Sequence, residues 1–375
     1  MRRLTQSDID FRSNYKKSRN ECLLKIKRKR AEHDARINKQ KSCSLSAIYI
    51  YDNFTRFLLQ LTPTMSKILV CGAINWDTML FVNRFPNPGE EVRVMKVISV
   101  PGGKAANTAV AAVKILGTNS VGVIGMLGVD TISESQIKTL QKEGINTSLI
   151  FRHDGMLSGQ AYVIVDSKGE NVILTHQAAN LAISPEHVIR PKVLSAIDKS
   201  SIIIVIDPPL DVAGSLITYA TRAGKSVIWS PALLTNYGLS ALQSYMAHVD
   251  YLILNQQEAS SLTSMDDGVQ ACTKISNLIN GKNVVVTLGD KGCVLCTKGK
   301  SMMIPPLHLS SSDLKVVSTA GAGDTFVGAF VAFKLKGFED ARALYLANVA
   351  AALKTSREET RSSPTYEEIK RYAYD

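Results

Sequence analysis

The sequence predicts an α/β protein: a three-layer α/β/α sandwich with a mostly parallel central sheet and a small β-sheet lid. Three observations carry this prediction. Along residues 65–375, short apolar runs alternate with helix-length amphipathic stretches, the pattern of repeated βαβ units. Two segments, about 78–100 and 159–175, break that alternation with strand-like runs and no helix between them, so they belong to a second sheet standing off the first. The 375 residues, 45% hydrophobic and 21% charged, are enough to bury a sizeable core.

The elements follow in order. Ser66-Lys67-Ile68-Leu69-Val70-Cys71-Gly72 is an apolar run closed by glycine, a buried strand opening the domain. Val121–Ile124, Ser201–Ile206, Ser226–Trp229, Tyr251–Leu254 and Asn283–Thr287 repeat the pattern, with helical stretches at 104–116, 131–143, 184–197, 211–223 and 266–279. Two β-rich runs flank Pro86-Asn87-Pro88-Gly89, and Gln160–Val165 with Asn171–Thr175 form a hairpin turning at Asp166-Ser167-Lys168-Gly169. Phe326–Leu335 is small and apolar throughout, as a buried helix would be. A parallel sheet of this kind binds ligands at its carboxyl edge.

Charge separates the chain into two parts. The formal net charge is +11, but residues 1–64 hold 15 Lys and Arg against 6 Asp and Glu, leaving +2 for residues 65–375. Residues 1–64 therefore read as a basic extension: sequence upstream of the working start at Met65, a flexible tail, or a targeting segment. The acids Asp8, Asp10, Glu21, Glu32 and Asp34 count against a transit peptide, favouring the first two. The near-neutral remainder weakens the case for a nucleic-acid partner that the whole-chain charge suggests. Apolar stretches such as Phe326–Phe333 are much shorter than the ~18 residues of a membrane span. Six scattered cysteines make no disulfide framework and point to a reducing, cytoplasmic setting.

Thr319-Ala320-Gly321-Ala322-Gly323-Asp324-Thr325 directly precedes the apolar helix. Glycines before a helix let backbone N–H groups converge, and the helix N-terminus adds positive potential, so Gly321, Ala322 and Gly323 make an anion hole. An aspartate there would repel an anion unless it has its own task. A general base for an attacking hydroxyl fits, with the helix terminus keeping Asp324 ionised. Read alone, the motif is better explained as a tight turn with an N-capping aspartate.

Other stretches add candidates. Gly102-Gly103-Lys104-Ala105-Ala106-Asn107 opens a helix with Lys104 and Asn107 on one face, donors for hydroxyl or phosphate oxygens; capping alone explains it as well. Asn75 and Asp77 follow the first strand and suit neighbouring sugar hydroxyls, or an Asx turn. Asn255 and Glu258 follow another strand and could orient hydrated Mg²⁺ near a nucleotide, or cap a helix. Thr287, Gly289 and Gly292 would admit a nucleotide close to backbone, or form a hairpin turn. No P-loop, protein-kinase or GxGxxG signature occurs, Cys293-x-x-Cys296 stands alone, and His153, His176, His187 and His308 lack metal-ligand spacing.

Together these motifs, in this order from about Ser66 to Ile369, resemble the ribokinase (PfkB) family of carbohydrate and nucleoside kinases. The resemblance implies a ribokinase-like fold and ATP-dependent, Mg²⁺-assisted phosphorylation of a primary alcohol. The first expectation is ribose to ribose 5-phosphate; a nucleoside kinase of adenosine, inosine or cytidine type is the alternative, and a non-catalytic nucleic-acid-binding protein the distant third. By the same resemblance, Asp324 is the base, with Gly321, Ala322 and Gly323 the anion hole. Asn75, Asp77, Gly103, Lys104, Asn107 and Asp207 hold the acceptor, Asn255 and Glu258 the metal and phosphates, and Thr287, Gly289, Gly292 and Asn348 the nucleotide. Ribokinases carry Asp-Thr where this chain has Ser318-Thr319, and a glycine in the loop that here runs from Thr355 to Pro364 without one. Both departures fall on residues that hold a monovalent cation in the family. The resemblance also makes a lid-mediated homodimer an expectation.

Overall fold

The computed structural model describes residues 66–307 and 314–374. The expectations for residues 1–64, Met65 and His308 lie outside the described residues.

From the amino end, β1 (Ile68–Gly72) leads through two residues into β2 (Asn75–Val82), which returns as β3 (Val94–Gly102). Then come α1 (Lys104–Leu116), β4 (Val121–Gly128), α2 (Thr131–Lys142), β5 (Asn146–His153), β6 (Gly159–Val165) and β7 (Asn171–His176). Two short helices follow, α3 (Pro185–Val188) and α4 (Pro191–Lys199), and the chain continues through β8 (Ile202–Ile206), α5 (Leu210–Arg222) and β9 (Ser226–Ser230). Next are α6 (Leu239–Met246), β10 (Tyr251–Asn255), α7 (Gln256–Thr263), α8 (Gly268–Leu278) and β11 (Asn283–Thr287). The hairpin β12 (Cys293–Thr297) and β13 (Lys300–Ile304) precedes α9 (Ala322–Leu335), α10 (Asp340–Thr355) and α11 (Tyr366–Tyr374).

Nine strands form one sheet in the order β13-β12-β11-β10-β9-β8-β1-β4-β5, parallel except where β12 pairs with β11 and β13. Period-two alternation sends side chains to two cores. Ile68 and Val70 of β1, with Ile202, Ile204 and Ile206 of β8, face α1, α9 and α10. Leu69, Cys71, Ile203 and Val205 face the helices of the opposite layer. The helix α9 is buried along most of its length, and Phe330 and Phe333 are fully enclosed, so truncating either to alanine is expected to cost about 3–5 kcal/mol.

The second sheet has the order β3-β2-β6-β7; β2 pairs antiparallel with β3 and parallel with β6. Two local expectations are corrected. The helix expected over 184–197 is two helices, because Pro191 lacks the N–H needed inside a helix and instead starts α4. Asn75 and Asp77 do not lie in a loop leaving β1 but on β2 itself.

Candidate active site

The two sheets enclose a cavity of about 270 Å³ at the carboxyl edge of the large one. Because β2 alternates, Asn75 and Asp77 face the same side, toward this cavity, together with Ala161 and Val163 of β6 and Asn171, Ile173 and Thr175 of β7. The Asn75 side-chain oxygen accepts from the Asn180 amide at 2.7 Å. Asp77 Oδ2 accepts from the Thr360 hydroxyl at 2.6 Å. Burial pushes the Asp77 carboxyl up to about 6, against the Thr360 hydrogen bond and the charges of Arg361 and Lys104.

Opposite this sheet, α1 begins where the chain turns at Gly103, with φ 92° and no room for a Cβ, which would lie 2.3 Å from the Asn75 nitrogen. The first turn presents Lys104 and Asn107 to the cavity. Lys104 Nζ donates to Asp207 Oδ2 at 2.8 Å. Burial alone would lower the Lys104 pKa, but the carboxylates of Asp207, Asp324 and Glu258 leave it raised. Asp207 ends β8 in the left-handed region, φ 58°, which aspartate tolerates better than most residues. It lines a neighbouring hollow rather than this cavity.

The third wall is the N-terminus of α9. Gly321, φ 80°, caps the helix without a side-chain hydrogen bond, and a Cβ there would sit 2.2 Å from the Thr360 carbonyl. Asp324, in the first turn, is therefore not spent on a cap. Its Oδ2 accepts from Asn107 Nδ2 at 2.9 Å. Burial raises the Asp324 pKa above the ordinary carboxylate value, outweighing Asn107, Lys104 and Lys354, which favour the charged form. A base with a raised pKa is better matched to neutral pH.

Asn255 and Glu258 form a capping box for α7: the Asn255 side chain accepts from the Glu258 N–H at 2.8 Å, and Glu258 Oε2 accepts from the Asn255 N–H at 3.0 Å. Both also line the cavity, and burial raises the Glu258 pKa. The capping bond to Glu258 goes to Oε2, so Oε1 can serve a cation that takes its other ligands from water and phosphate, as Mg²⁺ does. Among the described residues no cluster of three or more His, Cys, Asp or Glu forms an all-protein metal cage.

Of the expected residues, the cavity gathers Asn75, Asp77, Gly103, Lys104, Asn107, Asn255, Glu258, Thr287, Gly321, Gly323 and Asp324. It does not gather Ala322, Gly289, Gly292 or Asn348. The last lies in α10 and its amide donates to the carbonyls of Ile304 and Pro305, tying the helix to the end of β13. Residues the motifs missed complete the site. Besides Thr360, the buried Arg361 donates from Nε to Asn107 Oδ1 at 3.4 Å and from Nη2 to Gln136 at 2.9 Å, so the Asn107 amide presents its N–H₂ to Asp324. Asn171 bonds Thr319 at 2.8 Å, joining β7 to the loop before Gly321. Thr360 and Arg361 carry no local motif, since their partners lie hundreds of residues away.

No helix among the described residues is long and apolar enough to cross a membrane. The arrangement brings a carboxylate, a helix N-terminus and a polar wall together in one cavity, groups of the kind phosphoryl transfer can use. Comparison with known proteins agrees. The family model of the pfkB family carbohydrate kinases matches residues 65–366. A ribokinase of Staphylococcus aureus is 28% identical over 314 residues, covering 81% of this chain and 98% of that protein. A deoxyribokinase of Salmonella typhi is 28% identical over 312 residues, covering 81% and 98%. The crystal structure of a ribokinase from Thermotoga maritima superposes with a TM-score of 0.70 at 28% identity, covering 82% of this chain and 99% of that one. The chain thus belongs to the pfkB family of carbohydrate kinases and is an ATP-dependent sugar kinase with a ribokinase-like fold.

Proposed function

We propose that the protein transfers the γ-phosphoryl group of ATP to the primary 5-hydroxyl of ribose, with Asp324 as general base. The observation that carries this reading is the opposition of two walls: Asn75 and Asp77 on one face of β2, and Asp324 across the cavity, held by Asn107. A carboxylate and an amide two residues apart on a strand suit adjacent ring hydroxyls, leaving the primary alcohol toward Asp324. Asp324 takes the proton as the hydroxyl oxygen attacks the γ-phosphorus, whose bond to the bridging oxygen breaks and releases ADP. The N–H groups at Gly321 and Gly323 and the α9 terminus stabilise the charge developing on the transferred group. Glu258 and Asn255 would hold Mg²⁺, which neutralises charge on the nucleotide phosphates. Thr287 lies on the nucleotide side, at the end of β11.

A specific feature favours a larger acceptor as the second reading. A hollow of about 1080 Å³ borders Asp207 and Asn180, the partners of Lys104 and Asn75, and has Pro208, Pro209, Leu233 and Tyr237 on its walls. Such walls would suit the base of a nucleoside. Coupled-assay turnover with ATP and ribose, 2-deoxyribose, fructose, adenosine, inosine and cytidine, followed by NMR of the product, separates the readings. Ribose phosphorylated at its primary carbon with the highest kcat/KM supports the first, preference for a nucleoside supports the second, and no turnover with any ribose-containing acceptor contradicts both.

A further inference from the structure

Lys354, in the last turn of α10, has no solvent exposure. Lysine ordinarily extends its ammonium to water, and burying one is costly unless it is well satisfied. Here Nζ donates to the backbone carbonyls of Ser318, at 3.2 Å, and Arg357, at 3.4 Å, and no carboxylate lies within ion-pair distance among the described residues. The Ser318 hydroxyl is also buried and has no hydrogen-bond partner. A positive charge held by backbone oxygens, at a helix C-terminus whose dipole favours it, is the chemistry of a cation site.

This ammonium joins two segments that form the anion-binding turn. The N–H groups of Val317 and Ser318 bond the Thr355 carbonyl at 2.7 and 3.0 Å, and Gly321 packs on the Thr360 carbonyl. Thr360 in turn holds Asp77, and Arg361 holds Asn107. The positive charge of Lys354 also acts on Asp324, favouring its ionised form. Burial pulls the Lys354 pKa down, and the Asp324 carboxylate partly offsets this.

We propose that Lys354 is a built-in monovalent cation: its ammonium fills a carbonyl-lined hollow behind the Gly321 turn, fixing residues 317–321 to the 355–361 loop, so that phosphoryl transfer needs no added potassium. Lys354 is a positioning residue in this account, acting through the turn and through Asp324. The inference rests on the kinase reading for its activity assay only; the thermal assay needs no acceptor and tests the cation site alone.

The test compares potassium, ammonium and tetramethylammonium chlorides at one ionic strength of ~0.1 M, so that screening is constant. Tetramethylammonium is too large, and has no N–H, to replace a cation among carbonyls. Wild-type turnover is expected to vary by less than about twofold among the three salts. Lys354→Ala is expected to be weakly active in tetramethylammonium, to recover at least about tenfold in potassium or ammonium, and to melt several degrees higher in those salts because the cation binds the folded state. Lys354→Arg, which keeps the charge, is the second variant and should remain insensitive. Strong potassium activation of the wild type overturns the proposal without any variant. So does a folded Lys354→Ala protein whose turnover and melting temperature ignore the cation.

Discussion

Asn107 Nδ2 donates to Asp324 Oδ2 across 2.9 Å, joining the first turn of α1 to the first turn of α9. The same asparagine accepts from Arg361 through its oxygen, so its orientation is set from behind. The bond stabilises the charged form of Asp324 against the burial that raises its pKa. Asn107→Leu should therefore move the acidic limb of the kcat/KM profile to higher pH and lower turnover by ~10- to 100-fold, the worth of a charge-assisted hydrogen bond. Profiles for both enzymes across pH 5–9, the same acceptor being used, check it; an unmoved limb would separate Asn107 from the ionisation of Asp324.

Burial pushes the Asp77 carboxyl up to about 6 in the folded protein, opposed by the Thr360 hydrogen bond. The acceptor KM should accordingly rise as pH falls below about 6, because a protonated carboxyl accepts fewer hydroxyl hydrogens. Thr360→Val removes the opposing bond and should shift that rise to higher pH. Stability has the opposite sign. The folded carboxyl binds a proton between about pH 6 and the ordinary aspartate value of 3.8 where the unfolded one does not, so this group adds stability as pH falls through that window. Denaturant midpoints for wild type and Asp77→Asn across the window give the sign directly.

How much of this was legible in the sequence depends on range. The strand Ile68–Gly72 and the helix Lys104–Leu116 follow from local apolar patterning. The split at Pro191 was missed although the signal was local: a proline inside a helical pattern removes a hydrogen bond. Asn75 and Asp77 looked like loop residues because asparagine and aspartate favour turns; pairing with β3 and β6 overrides that preference. The capping box at Asn255 and Glu258 was among the readings of that spacing, and the same residues line the cavity. The Thr360 and Arg361 contacts were not legible, because nothing local marks a threonine and an arginine that complete a site built mainly from residues 75–107 and 324. Lys354 likewise sat in an ordinary helical stretch, its burial set by tertiary packing.

Glu258→Gln separates metal binding from capping. A glutamine oxygen can still accept from the Asn255 N–H and preserve the cap of α7, but the charge is gone. The Mg²⁺ concentration for half-maximal activity should increase by roughly tenfold with little change in melting temperature. An equal Mg²⁺ dependence would limit Glu258 to the cap.

Asp207→Asn tests the ion pair with Lys104. Asparagine tolerates the left-handed backbone at this position, so the loss reports the charge rather than strain. Asp207 is almost fully buried, but the Lys104 side chain retains 35% exposure, which reduces the cost below that of a sealed pair to about 1–3 kcal/mol. Urea unfolding measures it, and acceptor KM should rise as Lys104 loses its anchor.

The central claim is that Asp324 is the base that activates the acceptor hydroxyl. Asp324→Asn keeps the shape of the side chain and removes its ability to take a proton. Single-turnover phosphorylation of the preferred acceptor, with nucleotide affinity measured by calorimetry on the same protein, tests it most directly. The account predicts a rate lower by about 10²- to 10⁴-fold with ATP affinity largely unchanged. A rate within a few-fold of wild type would contradict it.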